Sequence, residues 1–417
     1  MENLALGARM VRTGVVFETM RLLRLGDRPR YLADQAQRLG PTFVKLAQFA
    51  STRRDILPVE YAETFKTLQN DVECDDPDTT VANFRARTGV DPNVMFEAFD
   101  PRPVATGSIA QVHRARFNGA DVAIKILKSG VEGGVRRDLA VLAWASRILP
   151  EQLKARYGTV LAQYGDTLGR EMDMAEEART MRLARRRLRD SDFDVIVPRP
   201  LAVKRSGVLV MEFVGSRGVM EAGHGGPDAA YRTASSLMEA SLYLVFSGGP
   251  VNCDPHEGNL GVAADGQLVL YDHGNSFHPS PAFMEGMLLS LVAFQMRDRD
   301  ALLRTMTERG FLEADPAMGA SEARQLLEAL LDQIFGYVRS MDIADFDVEV
   351  FRRGSVYMSS DLYSVMRALL MTEGICKALS PRFTVDGAIE GFLERYGLEL
   401  ALRRASGDIS RTFDDGE

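Results

Sequence analysis

The spacing of apolar residues divides the chain into segments with helical periodicity and segments with the alternation of β-strands. Up to residue 95, apolar residues recur every three to four positions, which predicts amphipathic helices. From residue 96 the period changes to two, and an Asn-Gly pair at 118–119 predicts a hairpin turn. Helical patterns return over 131–190 and predominate after Pro279. We therefore expect an α+β fold.

A loop and a short hairpin over residues 252–274 carry the most specific chemistry. Asp254 lies five positions before Asn259, and Asp272 lies thirteen positions after Asn259. Two apolar runs flank an Ala-Asp-Gly-Gln turn at 264–267, so the second run delivers Asp272 just before a glycine-containing turn. Phosphoryl transfer needs one carboxylate at the acceptor or water, and an Asn with a second carboxylate on Mg²⁺. This stretch predicts a kinase-like active site.

A loop of small residues precedes a lysine inside an apolar run. The loop reads Ala105-Thr106-Gly107-Ser108, and small side chains let backbone N–H groups approach phosphates. Lys125 lies in a Val-Ala-Ile-Lys-Ile run, where it is either an exposed-face residue or a charge held for a partner. A kinase uses such a lysine to hold the α- and β-phosphates of a nucleotide. Lys125 lies in sequence between this loop and the Asp254/Asn259/Asp272 set. This order favours the interpretation of Lys125 as a charge held for a partner.

A kinase-like site also needs a carboxylate on a helix to orient the lysine. The predicted helix over 158–189 offers four candidates by spacing, and at least two of them should be ordinary exposed charges. The four are Glu171, Asp173, Glu176 and Glu177.

Two apolar runs, at 195–200 and 207–214, predict strands that complete the first lobe. The end of the second run is Glu212-Phe213-Val214. It would connect the two lobes, and there an adenine edge could bond backbone groups.

Charge and composition limit the partners. The net charge of −8 argues against a nucleic-acid binder. Residues 1–30 nevertheless carry six Arg against three acids. Two interpretations stay open for a helix predicted over 2–25: it lies on an anionic membrane surface, or it packs on its own protein with solvated arginines.

Cysteine usage and hydropathy bear on the compartment. The three cysteines form no CxxC pair, which favours a reducing compartment. No apolar stretch approaches the roughly 20 residues of a membrane span. We expect a cytoplasmic protein without a transmembrane segment, with peripheral membrane contact through residues 1–30 as the open alternative.

Four motifs can be compared together with known families. They are Lys45-Leu46-Ala47-Gln48, the 105–108 loop, Glu171-Met172-Asp173 and Asp254-Pro255-His256-Glu257-Gly258-Asn259. They resemble, in order, the KxGQ signature, the alanine-rich loop, the ExD element and the Asp-Pro-His-Pro-Gly-Asn loop of the UbiB/AarF family of atypical kinases. Four departures from that pattern are Ala47 for a Gly, Thr106 and Gly107 for alanines, and His273 for the Phe of Asp-Phe-Gly.

The resemblance implies a two-lobed protein-kinase-like fold with an added N-terminal helical subdomain and a helix-rich C-terminal lobe. The implied boundaries are 1–95 for the subdomain, 96–214 for the first lobe with a helical insert at 131–190, and 215–417 for the second lobe. Lys45 and Gln48 would project toward the nucleotide pocket, near the ExD acids.

The resemblance also implies ligands and roles. The ligands are ATP or ADP with Mg²⁺, and Glu177 becomes the acid that pairs with Lys125. Asp254 would position or deprotonate the attacking group, and Asn259 and Asp272 would hold Mg²⁺. Gly107 and Ser108 would cap the phosphates.

The implied activity is ATP hydrolysis or phosphoryl transfer that supports isoprenoid-quinone, lipid or other small-molecule metabolism. Two alternatives stay open. One is a protein kinase that acts in trans, favoured if Ala47 and Gly107 relax the occlusion by the N-terminal subdomain. The other is a nucleotide-sensing scaffold without essential catalysis.

Overall fold

The computed structural model describes most of the chain in two compact units. The described residues are 28–52, 59–66, 68, 74–148, 161, 164–189, 193–204, 207–315, 318–340 and 356–405. The first unit comprises Met1–Glu176 and Leu201–Phe213, and the second comprises Glu177–Pro200 and Val214–Glu417. The helix predicted over 2–25 and almost all of the proposed membrane contact lie outside the described residues.

Six helices surround or precede the sheet of the first unit. They are α1 (Arg28–Leu39), α2 (Pro41–Thr52), α3 (Val59–Lys66), α4 (Pro77–Thr88), α5 (Pro92–Met95) and α6 (Val131–Ile148). The break between α1 and α2 follows from Gly40, whose φ of 107° suits glycine, and from Pro41, which begins the next helix. Asp76 caps α4 by accepting hydrogen bonds from the N–H groups of Asp78 and Thr79.

An antiparallel sheet forms the centre of the first unit. Its strands are β1 (Ala98–Phe99), β2 (Ala105–Thr106), β3 (Ala110–Phe117), β4 (Ala120–Leu127), β6 (Pro200–Lys204) and β7 (Val208–Glu212). The order is β1-β3-β4-β7-β6, and β2 pairs with β3. Asn118 and Gly119 turn β3 into β4 with φ values of 51° and 74°, which is the geometry that an Asn-Gly hairpin provides.

One face of β4 builds the core of this unit. Val122, Ile124 and Ile126 alternate along the strand and pack in a cluster with Phe84 and Phe96. The rings of Phe84 and Phe96 meet edge to face, with centroids 5.8 Å apart. Residues between them, Lys125 among them, point to the opposite face because side chains alternate along a strand.

The structure interrupts the single helix that the sequence predicts over 158–189. Residues 164–172 are helical, Asp173 is not, and α7 (Met174–Arg189) begins directly after it. The Asp173 carboxylate accepts hydrogen bonds from the N–H groups of Ala175 and Glu176, each at 3.0 Å. The single helix was therefore wrong, because Asp competes for backbone donors and favours a cap over a helix interior.

A second, smaller sheet lies in the second unit. Its order is β5-β11-β10-β8, from β5 (Val195–Ile196), β8 (Ser216–Gly218), β10 (Leu260–Ala263) and β11 (Leu268–Leu270). The sequence analysis assigned residues 195–200 to the first lobe. That assignment was wrong for β5, which pairs in parallel with β11. A two-residue strand has too little pattern to indicate its partner.

The rest of the second unit is mainly helical. Its helices are α8 (Pro227–Ser247), α9 (Pro281–Gln295), α10 (Arg299–Glu308), α11 (Ala320–Ser340), α12 (Ser360–Leu379) and α13 (Val385–Ala405), with 3₁₀ turns at Val219–Gly225 and Glu257–Asn259. Two short pairs complete it, β9 (Val251–Asn252) with β12 (Ser276–Phe277), and β13 (Leu312–Ala314) with β14 (Val356–Met358).

The helices predicted to predominate after Pro279 are confirmed, whereas the β13–β14 pair was missed. α8 is the central element, and it packs against α9, α12 and α13. Within the described ranges, each helix is too short or too polar to span a lipid bilayer.

The core of the first unit gives a stability prediction. Phe84 is fully buried at the centre of the cluster. Phe84→Ala should lower the free energy of unfolding of this unit by about 3–5 kcal/mol, because it removes a whole ring from a packed core. Urea unfolding followed by circular dichroism measures the change.

Val94→Ala is the matched control in the same unit. The Val94 side chain is 78% exposed, so its truncation should change the unfolding free energy by less than about 0.5 kcal/mol. Equal effects of the two substitutions would contradict the packing described for Phe84.

Candidate functional site

The hairpin of β10 and β11 places Asn259 beside Asp272. Leu260 pairs with Leu270 at the open end of the hairpin. One step further, the N–H of Tyr271 donates to the carbonyl oxygen of Asn259 at 3.0 Å. Asn259 and Asp272 therefore emerge from the same end of one hairpin, although twelve residues separate them in sequence. The hairpin predicted from the sequence is confirmed.

The side chain of Asn252 joins the loop of Asp254 to that of Asp272. Its Oδ1 accepts from the backbone N–H of Asp254 at 2.8 Å, in the manner of an Asx turn. Its Nδ2 donates to the carbonyl oxygen of Asp272 at 3.0 Å. One amide thus fixes the two acids of the predicted set relative to each other.

Two further contacts hold these loops together. The N–H of Cys253 donates to the carbonyl oxygen of Asn275 at 2.8 Å, beside the β9–β12 pair. Oδ1 of Asp272 accepts from the N–H of Gly274 at 2.9 Å. His273, which stands where the family pattern has Phe, is only 4% exposed. The side chain therefore occupies a buried position, as the Phe of Asp-Phe-Gly would.

Asp254 also has a cationic partner. Nη2 of Arg367, on α12, donates to Oδ1 of Asp254 at 3.0 Å. The Arg367 side chain is 12% exposed and that of Asp254 is 37% exposed. The sequence analysis did not single out Arg367, because it lies in an ordinary helical pattern 113 residues away.

A small cavity lies behind these loops. It has a volume of about 40 Å³ and is lined by residues that include Asn252, Asn259, Asp272, Ala368 and Thr372. One water needs roughly 10–15 Å³, whereas drug-sized ligands occupy several hundred Å³. The cavity can hold water but is far too small for a nucleotide.

In the first unit, Lys125 lies at the middle of the sheet. It pairs with Val112 on β3 and with Leu209 on β7, and it is half-buried. Strands on both sides fix its backbone.

The 105–108 loop belongs to a tight β2–β3 hairpin at the same sheet. The N–H of Gly107 donates to the carbonyl oxygen of Ala110 at 2.8 Å. A Cβ at Gly107 would meet that oxygen at 3.5 Å, an ordinary contact. The loop would therefore accept alanine at this position.

The two motif residues of α2 have different surroundings. Lys45 forms an ion pair with Glu171, and their side chains are 22% and 12% exposed. One turn away, Tyr164 donates to the carbonyl oxygen of Thr42, and burial raises the pKa of its phenol, which stays a neutral donor. The 164–172 helix thus packs along α2. Lys45 lies beside the first acid of the ExD-like element, as expected.

Gln48 bonds within the helical subdomain. Its Nε2 donates to the carbonyl oxygen of Leu68 at 2.8 Å. This contact is structural, and a role of Gln48 in binding nucleotide stays a prediction.

Three of the four candidate carboxylates have clearly different surroundings. Glu171 pairs with Lys45, and Asp173 is an exposed helix cap. Glu177 is 1% exposed, which suits an acid that is held for a cation. Its pairing with Lys125 stays a prediction, since the two residues belong to different units.

Within the second unit, the segment at Val214 and Ser216 is held against the β10–β11 hairpin by Tyr271. The hydroxyl of Tyr271 donates to the carbonyl oxygen of Val214 at 2.9 Å and lies 2.6 Å from Oγ of Ser216. Burial raises the pKa of Tyr271, so its hydroxyl keeps its proton. The guanidinium of Arg114 covers the ring of Phe213 at 4.7 Å. The binding of adenine at residues 212–214 stays a prediction.

The structure brings Asp254, Asn259 and Asp272 together in the second unit, and Lys45 and Glu171 together in the first. Within the described ranges, no three His, Cys, Asp or Glu side chains cluster as metal ligands. The residues that the sequence analysis missed are Asn252, Tyr271 and Arg367. Only Asn252 had a signal, its position two residues before Asp254, which is typical of an Asx turn.

The sequence is similar to proteins of known families. Residues 67–306 match the ABC1 atypical kinase-like domain. The chain is 26% identical over 437 residues to Protein ACTIVITY OF BC1 COMPLEX KINASE 8, chloroplastic, of Arabidopsis thaliana, with 94% of this chain and 57% of that protein covered. It is 28% identical over 390 residues to Probable protein kinase UbiB of Marinobacter nauticus, covering 89% of this chain and 70% of that protein.

A third relative is an uncharacterized Synechocystis protein, 26% identical over 376 residues, with 87% of this chain and 64% of that protein covered. The chain therefore spans less than two thirds of the length of the Arabidopsis and Synechocystis proteins.

A solved structure has the same fold. The complex of Rv3197 with erythromycin from Mycobacterium tuberculosis aligns with a TM-score of 0.58 and 20% identity, over 77% of this chain and 83% of that chain. At this identity the likeness shows the fold alone. Together with the domain match it confirms the predicted α+β kinase-like fold class.

The domain match covers more than half of the chain, and it includes the β-sheet of the first unit and the loops of Asp254 and Asp272. The resemblance read from the sequence motifs is confirmed. The chain belongs to the ABC1 atypical kinase-like family, the UbiB/ABC1 group.

Proposed function

We propose that this protein binds Mg-ATP and hydrolyses or transfers its γ-phosphate. The observation that carries the proposal is the double hydrogen bond of Asn252. It ties the loop of Asp254 to that of Asp272, next to Asn259. Phosphoryl transfer depends on positioning and charge stabilisation rather than on covalent steps by the protein. A pair of loops locked in this way supplies that positioning.

The donor set fits magnesium better than a transition metal. Asn259 and Asp272 offer oxygen ligands, which Mg²⁺ prefers, and it commonly takes one or two carboxylates together with substrate phosphates. In the proposal these two residues hold the ion, and Asp254 orients the attacking water or hydroxyl. When bound, Mg²⁺ would neutralise charge on the phosphate oxygens.

The proposal also assigns roles to Lys125, Glu177, the 105–108 loop and the α2 motif. Lys125 would bind the α- and β-phosphates, with Glu177 orienting it. Backbone N–H groups of the 105–108 loop would approach the phosphates, and Gly107 and Ser108 would cap them. Lys45 forms an ion pair with Glu171. We propose that this pair holds α2 against the 164–172 helix and thereby fixes the position of Gln48.

The proposed acceptor is water or a small molecule of the isoprenoid-quinone or lipid class. This choice follows what the resemblance of the sequence motifs implies, and a protein acceptor is the alternative. A peripheral membrane contact through residues 1–30 belongs to the same proposal, because six Arg in this segment suit an anionic surface.

Phosphate release from Mg-ATP by the purified protein is the first test. We expect turnover, and we expect Lys125→Ala and Asp272→Asn each to lower it at least 100-fold, because each removes a charge that stabilises the transition state. Vesicles that contain anionic or isoprenoid lipids should increase the rate.

Asp265→Asn is the matched control for Asp272→Asn. Asp265 is an exposed residue in the turn of the same hairpin, so its substitution should leave turnover unchanged. If the wild-type protein releases no phosphate while ATP still raises its melting temperature, the proposed enzymatic activity is wrong. The nucleotide-sensing scaffold is then the supported hypothesis.

Asp254→Asn separates binding from turnover. The change keeps the shape of the side chain and removes the charge that orients the attacking group. We expect turnover to fall at least 100-fold, while ATP raises the melting temperature as it does in the wild type. Loss of the ATP-induced shift would instead assign Asp254 to nucleotide binding.

The Lys45–Glu171 pair gives a separate prediction. Glu171→Gln should lower the free energy of unfolding by about 1–3 kcal/mol, since it leaves a partly buried ammonium without its anion. The double variant Lys45→Met/Glu171→Met should recover much of this loss, because no charge remains unpaired. Chemical denaturation measures both.

The Arg114–Asp121 pair is the control. Its side chains are 52% and 43% exposed, so Asp121→Asn should cost less than about 1 kcal/mol. A double variant as unstable as Glu171→Gln would contradict the attribution of that loss to an unpaired ammonium.

A further inference from the structure

The contact between Arg367 and Asp254 differs from the other ion pairs of the second unit that are described. Arg367 is 12% exposed, whereas the cations of the other pairs are 33% to 64% exposed. Exposed pairs contribute little because water competes for both charges. A guanidinium that is mostly removed from water constrains its partner more strongly, because water competes less for the charge-assisted hydrogen bond from Nη2 of Arg367 to Oδ1 of Asp254.

The helix that carries Arg367 is firmly placed behind the loops. Ser359 caps α12 through a hydrogen bond from the N–H of Leu362 to its Oγ. Val365, Ala368 and Thr372 are at most 2% exposed along its inner face, and α12 packs against α8 and against β9 and β12. The backbone of Arg367 therefore cannot shift without disturbing the core of the unit.

The same helix reaches the loops of the candidate site. Ala368 and Thr372 line the cavity that Asn252, Asn259 and Asp272 also line. Asn252 holds the backbone of Asp254 from one direction, and Arg367 holds its carboxylate through Oδ1. The bond to the backbone leaves the carboxylate of Asp254 able to rotate. The bond from Arg367 restricts that rotation.

We propose that Arg367 is a positioning residue for Asp254, which it holds in the orientation required for the attacking water or hydroxyl. This inference rests on the proposed function. Arg367 acts through the carboxylate and not on the nucleotide. Its loss should therefore reduce the rate of the chemical step and leave nucleotide binding in place. Misplacement of a reacting group by about 1 Å can cost on the order of 100-fold in rate.

The test compares Arg367→Gln and Arg367→Lys with the wild type in phosphate release from Mg-ATP. We expect Arg367→Gln to lower kcat by about 10- to 100-fold, with KM for ATP and the ATP-induced rise in melting temperature within about twofold of the wild type. Arg367→Lys should recover part of kcat, because it restores a cation without the fork. In an Asp254→Asn background, Arg367→Gln should lower the residual rate no further.

Arg382→Gln is the matched control. Arg382 donates to Asp228 at 2.8 Å in an exposed pair of the same unit, and its substitution should leave kcat unchanged. Should Arg367→Gln fail to fold, Arg367→Met, which keeps the aliphatic stem and removes the cation, decides, and a kcat equal to that of the wild type for this variant overturns the proposal.

Other outcomes also overturn the proposal. A wild-type kcat for Arg367→Gln would show that the contact has no part in turnover. Equal losses of kcat and of ATP binding would show a structural role alone. An inactive wild-type protein would instead overturn the proposed function, and this inference with it.

Discussion

The amide of Asn252 is the constraint on which the candidate site of the second unit depends. Its oxygen and its nitrogen are both used, one by the N–H of Asp254 and the other by the carbonyl oxygen of Asp272. An aspartate at this position could accept the first bond but could not donate the second. The backbone hydrogen bond from Tyr271 to Asn259 then fixes the position of Asn259, the third residue of the Asp254/Asn259/Asp272 set. Loops that would otherwise move independently are thus held to one geometry.

Acids that are gathered in one region repel each other, and the chain compensates each of them differently. Asp272 accepts the N–H of Gly274, and Asp254 is paired with Arg367. In the first unit, Glu171 is paired with Lys45, whereas Asp173 lies at a helix N-terminus, where the helix dipole favours a negative charge. Glu171 and Asp173 are two residues apart, yet one is braced by a cation and the other begins a helix.

Sequence patterns predicted the elements whose signals are local. Gly40-Pro41 separates two helices, and Asn118-Gly119 turns a hairpin, because each pair restricts its own backbone. Elements that depend on a distant partner were missed or misplaced. Val195-Ile196 could join either sheet, and only its contact with β11 decides. The β13–β14 pair joins strands more than forty residues apart.

The same distinction applies to the site. Asp254, Asn259 and Asp272 were found because their spacing reflects one loop and one hairpin. Arg367 was not found because its relation to Asp254 exists only in the folded unit.

In the described part of the chain, Lys45 and Arg367 pair with motif acids, and both lie outside the residues that define the family domain. The match covers residues 67–306, so it contains Glu171 and Asp254 but neither Lys45 nor Arg367. Lys45 comes from α2 before the matched region, and Arg367 comes from α12 after it. Helices that flank the domain therefore supply the charges that hold its acids in place. A fragment limited to the matched residues would keep the candidate chemistry but lose both of these contacts.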